Sequence, residues 1–197
     1  MTELPKKITC IGRNYVEHIN ELGNAIPDSM VVFNKPPSSV TPELLSEHLG
    51  EALHYEGELC FVIKDNQAVK VGFALDLTKR SLQSELKAKG LPWERDKSFD
   101  GAIVVSDFVT IDSSDIADMS MQLFIDDELV QHGYTSHMLY PVATAITELS
   151  QWQKMDDGDW LLTGTPKGVG VVKAGQVFVG KVLINDKEII SVQWRAQ

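Results

Sequence analysis

The feature that most limits the fold of this chain is a series of short apolar segments, rich in β-branched residues and separated by turn-forming residues. Segments of this length are typical of strands rather than helices. The predicted strands are 7–11, 30–33, 53–63, 69–77, 103–105, 121–125, 160–163, 177–184 and 188–194. The last two flank Asn185-Asp186, a dipeptide that predicts a C-terminal hairpin.

Helical periodicity is clearest over 78–89, where Gly90 and Pro92 supply an end signal, and over 140–152. A shorter helix is predicted over 14–22. The Pro- and Ser-rich stretch 34–50 is predicted to be a surface loop, because no repeat or Ser/Gly linker divides the chain. The pattern indicates an α+β, mostly β fold without the strand–helix alternation of a doubly wound sheet.

The charge balance excludes some classes of partner. The 197 residues carry 18 Lys and Arg against 28 Asp and Glu, a net charge of −10, so nucleic acid and membrane surfaces are not expected partners. Cys10 and Cys60 lie in apolar runs and are predicted to be buried free thiols. Because the sequence lacks a signal peptide and a long apolar run, we expect a cytoplasmic protein.

The most informative segment is LHYEGELCFVI, residues 53–63. On a strand, Glu56 and Glu58 share one face with His54. Two carboxylates side by side on a mainly apolar strand repel each other, and a hard divalent cation such as Mg²⁺ or Mn²⁺ would join them through oxygen ligands. A solvated strand face with two glutamates explains the pair equally well when it is taken alone.

A third carboxylate, Asp76, favours the metal. It lies in the apolar run VGFALDL, where a neighbouring strand would end just before the helix predicted over 78–89. An acid inside such a run is seldom left unpaired. Three carboxylates leave coordination positions open for water and substrate, as in a catalytic metal site.

Two further segments carry candidate chemistry. His18 and Glu21 lie three residues apart, on one face if the segment is helical, and a carboxylate beside an imidazole makes a dyad able to take a proton from water. A surface contact is the alternative. In LLTGTPKGVG, residues 161–170, backbone N–H groups with the Thr163 and Thr165 hydroxyls are suited to a carboxylate, although a tight turn fits the same pattern.

Six segments together resemble the fumarylacetoacetate hydrolase family, within it the short acylpyruvase and oxaloacetate decarboxylase branch. They run in family order over nearly the whole chain. These segments are CIGRNYVEH at 10–18, FNKPPSS at 33–39, HYEGEL at 54–59, LDLTKRSLQ at 75–83, KGLPWERDKSFD at 89–100 and LLTGTPKGVG at 161–170.

The resemblance implies roles for individual positions. It implies that Mg²⁺ or Mn²⁺ binds Glu56, Glu58 and Asp76, and that a mobile lid helix, about 14–23, carries the water-activating dyad. The implied catalytic residues are His18, Glu21 and Lys97. The implied substrate-binding residues are Arg13, Lys35, Arg80, Gln83, Gly164 and Thr165. From the residues alone, scattered cations such as Lys35, Arg80 and Lys97 usually solvate a surface.

The resemblance also implies a fold and a reaction. The fold is a mixed β-sandwich roll of the family's C-terminal-domain type, formed by one domain over 1–197 that assembles as a homodimer. The reaction is metal-dependent hydrolysis of a C–C bond in 2,4-dioxo acids, which gives pyruvate and a carboxylic acid, with decarboxylation of oxaloacetate as a related activity. The substrate is thus a small anionic 2-oxo or 2,4-dioxo acid.

Two alternatives stay open at this point. One is an oxo-acid tautomerase or isomerase that uses the same metal, and the other is a non-catalytic protein that binds a metal or a metabolite. Two departures from the family pattern bear on them: Ser81 stands where family members commonly have Asp, and the connection over 65–72 is short.

Overall fold

Residues 4–197 are described by the structure, a computed structural model. Strands make up most of its regular structure, so the predicted α+β, mostly β class is confirmed. The strands are β1 (Ile8–Gly12), β2 (Val31–Lys35), β3 (Glu47–His48), β4 (Glu51–Ala52), β5 (His54–Tyr55), β6 (Gly57–Lys64), β7 (Gln67–Asp76), β8 (Ile103–Val105), β9 (Val109–Thr110), β10 (Met119–Ile125), β11 (Glu128–Tyr134), β12 (Trp160–Leu162), β13 (Gly170–Val171), β14 (Val177–Ile184) and β15 (Lys187–Arg195).

The helices are short. They are α1 (Val16–Glu21), α2 (Arg80–Ala88), α3 (Glu94–Lys97) and α4 (Val142–Leu149), with 3₁₀ turns at Pro37–Ser39, Ser113–Asp118 and Thr135–His137. The predicted helix over 78–89 begins two residues late, because the backbone of Thr78 is still paired with that of His54 through reciprocal N–H···O bonds of 3.0 and 2.9 Å. The predicted helices over 14–22 and 140–152 are likewise shorter at both ends.

The larger sheet has the strand order β2-β1-β12-β6-β7-β8, and β9 also pairs with β7. β1 and β12 are parallel and the other neighbours are antiparallel. Both faces of this sheet are covered: Leu59 and Phe61 belong to one buried cluster, while Cys60 belongs to another. Burial on both faces explains the continuous apolar run in β6.

A second, antiparallel sheet has the order β11-β10-β14-β15 and packs against the larger one. The core lies between the two sheets. Phe73 of β7 lies so close to Gly180 of β14 that a Cβ on Gly180 would be 2.3 Å from the ring. The hairpin between β14 and β15 is confirmed, and Asn185 and Asp186 both have positive φ, as a type I′ turn requires.

The predicted strand over 53–63 is wrong as a single element. β5 pairs with β13, whereas β6 pairs with β7 and β12, so the chain changes partner at Glu56. The side-chain oxygen of Gln131 accepts the N–H of Gly57 at 2.9 Å and satisfies the backbone where the strand is interrupted. The backbone of His54 forms a bridge with that of Thr78, and the His54 side chain does not line the pocket that contains Glu56 and Glu58.

The expectation of a surface loop over 34–50 needs correction, since Lys35, Ser39 and Leu44 are all buried within it. The short connection over 65–72 forms the turn and the start of the β6–β7 hairpin. β11 was not predicted, because Gln, His and Gly interrupt the apolar alternation of Glu128–Tyr134.

Cys10 and Cys60 are buried free thiols, as predicted. Burial in the apolar core raises the pKa of both thiols well above the usual range. Over residues 4–197, none of the helices has the length and apolar character needed to cross a membrane.

Candidate active site

One pocket collects most of the side chains that the sequence motifs singled out, but not Glu21, Lys35 or Thr163. Its walls come from α1, the change of partner between β5 and β6, the end of β7, α2, α3 and the turn after β12. The lining residues are Ile11, Gly12, Arg13, His18, Ile19, Leu22, Asn24, Phe33, Glu56, Glu58, Asp76, Arg80, Gln83, Lys87, Trp93, Lys97, Gly164 and Thr165.

The three predicted metal ligands meet in this pocket. One carboxylate oxygen each from Glu56, Glu58 and Asp76 lies within 4.8 Å of the other two, and all three residues are buried. Antiparallel pairing of β6 with β7 produces this arrangement, because it sets Glu58 opposite Ala74 and leads to a 2.8 Å bond from the Asp76 N–H to the Glu56 carbonyl. Residues distant in the sequence therefore form one acidic cluster.

Lys97, at the end of α3, holds two of these acids together. Its ammonium donates to Glu56 Oε2 and Asp76 Oδ2, both at 2.8 Å, and to Thr78 Oγ1 at 2.6 Å. Burial opposes the charge of Lys97, but Asp76 and Glu56 outweigh it and raise the pKa of the ammonium above its usual value. Lys97 is thus a fixed positive charge beside the acids.

Two more cations pair with Glu56 and Asp76. Arg80, at the start of α2, pairs with Glu56 Oε1. The Lys35 ammonium is 2.8 Å from Asp76 Oδ1, is fully buried, and lies behind the acid rather than on the pocket surface. Burial alone would raise the pKa of Glu56, yet Lys97, Arg80 and His18 lower it well below its usual range.

The electrostatic surroundings of Glu58 differ from those of Glu56. The backbone N–H of Gly164 donates to its Oε2 at 2.8 Å. Burial first, and then the charges of Asp76 and Glu56, raise the pKa of Glu58 well above its usual range. Carboxylates crowded in this way gain most from a nearby cation, because the cation relieves both the repulsion and the lost hydration.

His18 and Glu21 form a hydrogen-bonded pair on α1. His18 Nδ1 is 3.1 Å from Glu21 Oε2, and His18 lines the pocket while Glu21 stands behind it. The other oxygen of Glu21 accepts the Gly168 N–H at 2.9 Å, which connects α1 to the turn after β12. The pair can accept a proton at a position facing the three acids.

Buried amides position the segments around the pocket. Asn14 donates to the Thr163 carbonyl at 2.8 Å and accepts the Tyr140 N–H at 2.7 Å, which fixes the start of α1. Gln131 donates to Thr165 Oγ1 at 2.9 Å, which holds that hydroxyl at the pocket wall. Thr163, a candidate anion ligand from the sequence, instead donates its hydroxyl to the Leu59 carbonyl at 3.1 Å.

Comparison with known proteins identifies the family of this chain. Residues 7–195 match the family profile for the fumarylacetoacetate hydrolase C-terminal domain. The chain belongs to the fumarylacetoacetate hydrolase family. The chain is 39% identical over 186 residues to the mitochondrial oxaloacetate tautomerase FAHD1 of Bos taurus, an alignment that covers 87% of this chain and 84% of that one. It is 37% identical over 191 residues to a mitochondrial oxaloacetate decarboxylase of Dictyostelium discoideum, with 89% and 88% of the two chains covered.

Solved structures of family members share the fold. A protein of the fumarylacetoacetate isomerase/hydrolase type from Oleispira antarctica superposes with a TM-score of 0.94 at 32% identity, over 100% of this chain and 96% of that one. The fumarylpyruvate hydrolase of Pseudomonas aeruginosa, in complex with Mn²⁺ and pyruvate, superposes with a TM-score of 0.86 at 26% identity, over 98% and 89%. The predicted mixed sandwich roll of the family is therefore confirmed.

The oxygen donors of the acidic cluster are suited to a divalent cation. Three carboxylates are hard oxygen donors, the set that Mg²⁺ and Mn²⁺ prefer. Asp76 Oδ1 is buried and is not aligned with a hydrogen-bond donor among residues 4–197, although the Lys35 ammonium lies 2.8 Å away. A carboxylate oxygen has more than one lone pair, so the bonds from Lys97 leave room for coordination.

Sequence reasoning missed several residues of the site. Lys87 and Trp93 line the pocket, while Gln131 and Asp96 support residues that do. The role of Lys87 could have been predicted from the sequence, since it lies four residues after Gln83 and thus on the same face of α2. The role of Gln131 could not have been predicted, because it lies on the unpredicted strand β11 and its contacts are with residues distant in the sequence.

Proposed function

We propose that this protein is a divalent-metal-dependent enzyme that cleaves a C–C bond in 2,4-dioxo acids, giving pyruvate and a carboxylic acid. One observation carries the proposal: His18, whose Nδ1 is 3.1 Å from Glu21 Oε2, lines the same pocket as the acids Glu56, Glu58 and Asp76. A base and a cation-binding cluster in one pocket are the parts needed to add water to a carbonyl and to stabilise the enolate that leaves.

The acids Glu56, Glu58 and Asp76 would hold the cation, and Mg²⁺ and Mn²⁺ are both suited to them. Such an ion supplies Lewis-acid polarisation of the 2-oxo group of the substrate. The fumarylpyruvate hydrolase of Pseudomonas aeruginosa, solved with Mn²⁺ and pyruvate, supports both the kind of ion and the kind of product.

The protein's own side chains would carry the proton transfer. His18 takes a proton from water, which then adds to the 4-carbonyl, and Glu21 stabilises the imidazolium that forms. Lys97 lies beside the acids as a permanent cation and offsets developing oxyanion charge. Arg80, Gln83 and Thr165 line the wall where the rest of the substrate lies.

An ultraviolet assay tests this function. Loss of the enol absorbance of acetylpyruvate is followed with Mg²⁺, with Mn²⁺ and with a chelator, and the products are identified. We expect equal amounts of pyruvate and acetate, formed only with metal present. Absorbance loss without acetate would exclude hydrolysis, and activity that survives the chelator would exclude the metal.

A second reaction, on oxaloacetate, has specific support. The relatives named oxaloacetate tautomerase and oxaloacetate decarboxylase are 39% and 37% identical to this chain, above the 26% of the fumarylpyruvate hydrolase. Tautomerisation needs only movement of a proton, which His18 with Glu21 can perform, and decarboxylation needs no attacking water. Rates of enol–keto conversion and of CO₂ release from oxaloacetate in the same assay would rank the three activities.

Other parts of the proposal concern the state of the protein. We infer that the protein is a homodimer and that residues of about 14–23 form a mobile lid. We also infer a cytoplasmic location, although the relatives above are named mitochondrial. Sedimentation of the purified protein tests the dimer.

A further inference from the structure

The pocket holds two cations that the proposed chemistry does not use. Lys87, on the last turn of α2, is half-buried and lines the pocket together with Arg13. Arg80 is paired with Glu56, and Lys97 is paired with Glu56 and Asp76. Across residues 4–197, by contrast, neither Lys87 nor Arg13 has a carboxylate within 4.0 Å.

An unneutralised charge in a pocket is costly. Burial first, and then the charges of Arg13 and Arg80, lower the pKa of Lys87 to about 8. In a chain with a net charge of −10, acids are abundant elsewhere, yet these two cations face the pocket without one. A bound anion would neutralise them and raise the pKa of Lys87 toward its ordinary value.

Lys87 is held in place by neutral partners. Its ammonium donates to Gln83 Oε1 at 3.1 Å and lies 4.8 Å from the centre of the Trp93 ring. A cation–π contact and an amide oxygen fix the position of an ammonium while leaving its charge available. These are the contacts expected of a group that binds an anionic ligand and is not already paired.

A buried acid sets the orientation of that amide. Asp96 Oδ2 accepts the Gln83 amide N–H at 2.9 Å, so Gln83 Oε1 is turned toward the cations and accepts from Arg80 at 2.6 Å as well as from Lys87. Asp96 is fully buried, and it is thus a positioning residue for the cationic wall of the pocket.

We propose that Lys87, with Arg13, binds the second carboxylate of a dianionic 2-oxo acid and so selects dicarboxylates over substrates whose far end is uncharged. The inference rests on the proposed function, because the acids would engage the 2-oxo end of the substrate. It adds a specificity-determining residue and narrows the substrate class to oxo acids with a carboxylate at each end.

Kinetics with two substrates test the inference. For Lys87→Met, we expect the KM for oxaloacetate to rise about 10- to 100-fold, the loss that follows removal of a charged hydrogen-bond donor. The KM for acetylpyruvate should stay within about twofold, since its far end is a methyl group and has no charge to pair. Lys89→Met, two residues further on and exposed, is the matched control and should change neither.

Direct binding supplies a readout that does not depend on turnover. Calorimetry of the Mg²⁺-loaded protein compares 2-oxoglutarate with 2-oxopentanoate, which has the same carbon chain but lacks the second carboxylate. We expect the wild type to prefer the dianion, Lys87→Met to lose that preference, and Lys87→Arg to keep part of it. Equal effects on both ligands, or an unchanged preference in Lys87→Met, would overturn the inference.

The two proposals fail in different ways. If the wild-type protein turns over no oxo acid but binds the dianion through Lys87, the proposed function is wrong and the anion site stands. If turnover is found but Lys87→Met treats oxaloacetate and acetylpyruvate as the wild type does, the anion site is wrong and the function stands.

Discussion

At the scale of single residues, His18 is the group that the proposed chemistry depends on most. It is buried at the pocket wall, and its Nδ1 partner is Glu21. We predict that His18→Ala lowers kcat for acetylpyruvate hydrolysis by about 10²- to 10⁴-fold, the usual contribution of a general base. Steady-state kinetics with saturating Mg²⁺ measure the loss.

The control for this substitution lies on the same helix. Glu17 is exposed and pairs with Lys167 at 3.2 Å, away from the acids. Glu17→Gln should leave kcat unchanged, and circular dichroism should show that both variants are folded. Full activity in His18→Ala would remove the dyad from the mechanism.

Lys97 offers a second prediction at this scale, on stability. Without its ammonium, Glu56 and Asp76 would lie close together in a buried site with less positive charge between them. We predict that Lys97→Met lowers the free energy of unfolding by about 3–5 kcal/mol in the absence of metal, as is typical when one partner of a buried ion pair is removed. Urea unfolding measures it.

A surface lysine provides the comparison for Lys97. Lys154 pairs with Asp156 in solvent, and its side chain is 84% exposed. Lys154→Met should change stability by no more than about 0.5 kcal/mol. Saturating Mg²⁺ should recover part of the loss in Lys97→Met, because the ion replaces the missing positive charge. A loss no greater than that of Lys154→Met would contradict the role given to Lys97.

At the scale of elements, the turn after β12 is where backbone geometry controls the site. Gly164 has a φ of 90°, and a Cβ there would lie 2.9 Å from both the Ile11 carbonyl oxygen and Asn14 Cβ. The N–H of the same residue donates to Glu58. A side chain at position 164 would therefore move the turn, the start of α1 and the acid together.

We predict that Gly164→Ala is destabilising for two reasons that a matched variant separates. Gly158 has a φ of 91°, but a Cβ added there would have nothing within 4 Å, so Gly158→Ala tests the positive φ alone, about 1–2 kcal/mol. Gly164→Ala should lose about 1–3 kcal/mol more through overpacking. Thermal unfolding of both variants measures the difference, and equal losses would show that the turn can move freely.

The last turn of α2 gives a prediction about pH. The charged groups near Lys87 are Arg13, Arg80, Glu56 and Lys97, and the pKa of Lys87 is lowered to about 8. Lys87 in the free protein therefore loses its positive charge as the pH rises from 7 to 9. A bound carboxylate favours the charged form, so binding of 2-oxoglutarate near pH 8.5 should take up a proton. Calorimetry in two buffers of different ionisation enthalpy measures this uptake.

Lys87→Met is the control for proton uptake. It should show weaker uptake than the wild type, and its affinity for 2-oxoglutarate should vary less between pH 7 and 9. Uptake equal to that of the wild type would assign the proton to another group in the pocket.

The elements also show what could be predicted from the sequence. Motifs with local spacing identified Glu56, Glu58 and His18, which the fold does bring into one pocket, and Glu21, which lies behind His18 and bonds to it. The interruption at Glu56 could not be predicted, because it depends on pairing with β13 and on Gln131, far along the chain. Burial of Lys35 was missed for the same reason: only the fold places Asp76 beside it.

At the scale of the whole molecule, the net charge is negative, whereas several cationic side chains are concentrated in one pocket. The chain carries −10, yet Arg13, Lys87, Lys97 and Arg80 all line one pocket. Glu56, Glu58 and Asp76 line it too, but a cation bound to them would leave a positive local field for a small anionic oxo acid, whereas a polyanion such as nucleic acid would meet the negative surface first. A negative overall charge disfavours large anionic partners and is compatible with small anionic substrates.

The proposed cation binding would link the pocket to the stability of the entire fold. An ion that binds the native protein at a concentration of 100 times its Kd adds about 2.7 kcal/mol of stability. For a chain of this size, that corresponds to a rise in Tm of about 5–10 °C. We predict such a rise when Mg²⁺ or Mn²⁺ is added to the metal-free protein, measured by differential scanning calorimetry.

Two acid substitutions decide whether this stabilisation comes from the proposed site. Glu58→Gln keeps the shape of the side chain but removes a ligand charge, so it should abolish most of the metal-dependent rise in Tm. Glu188→Gln removes an acid paired with Lys181 on the second sheet and should retain the full rise. Because both variants replace one acid by its amide, a general effect of losing an acid would change both alike. An equal rise in both would place the bound cations elsewhere on the acidic surface.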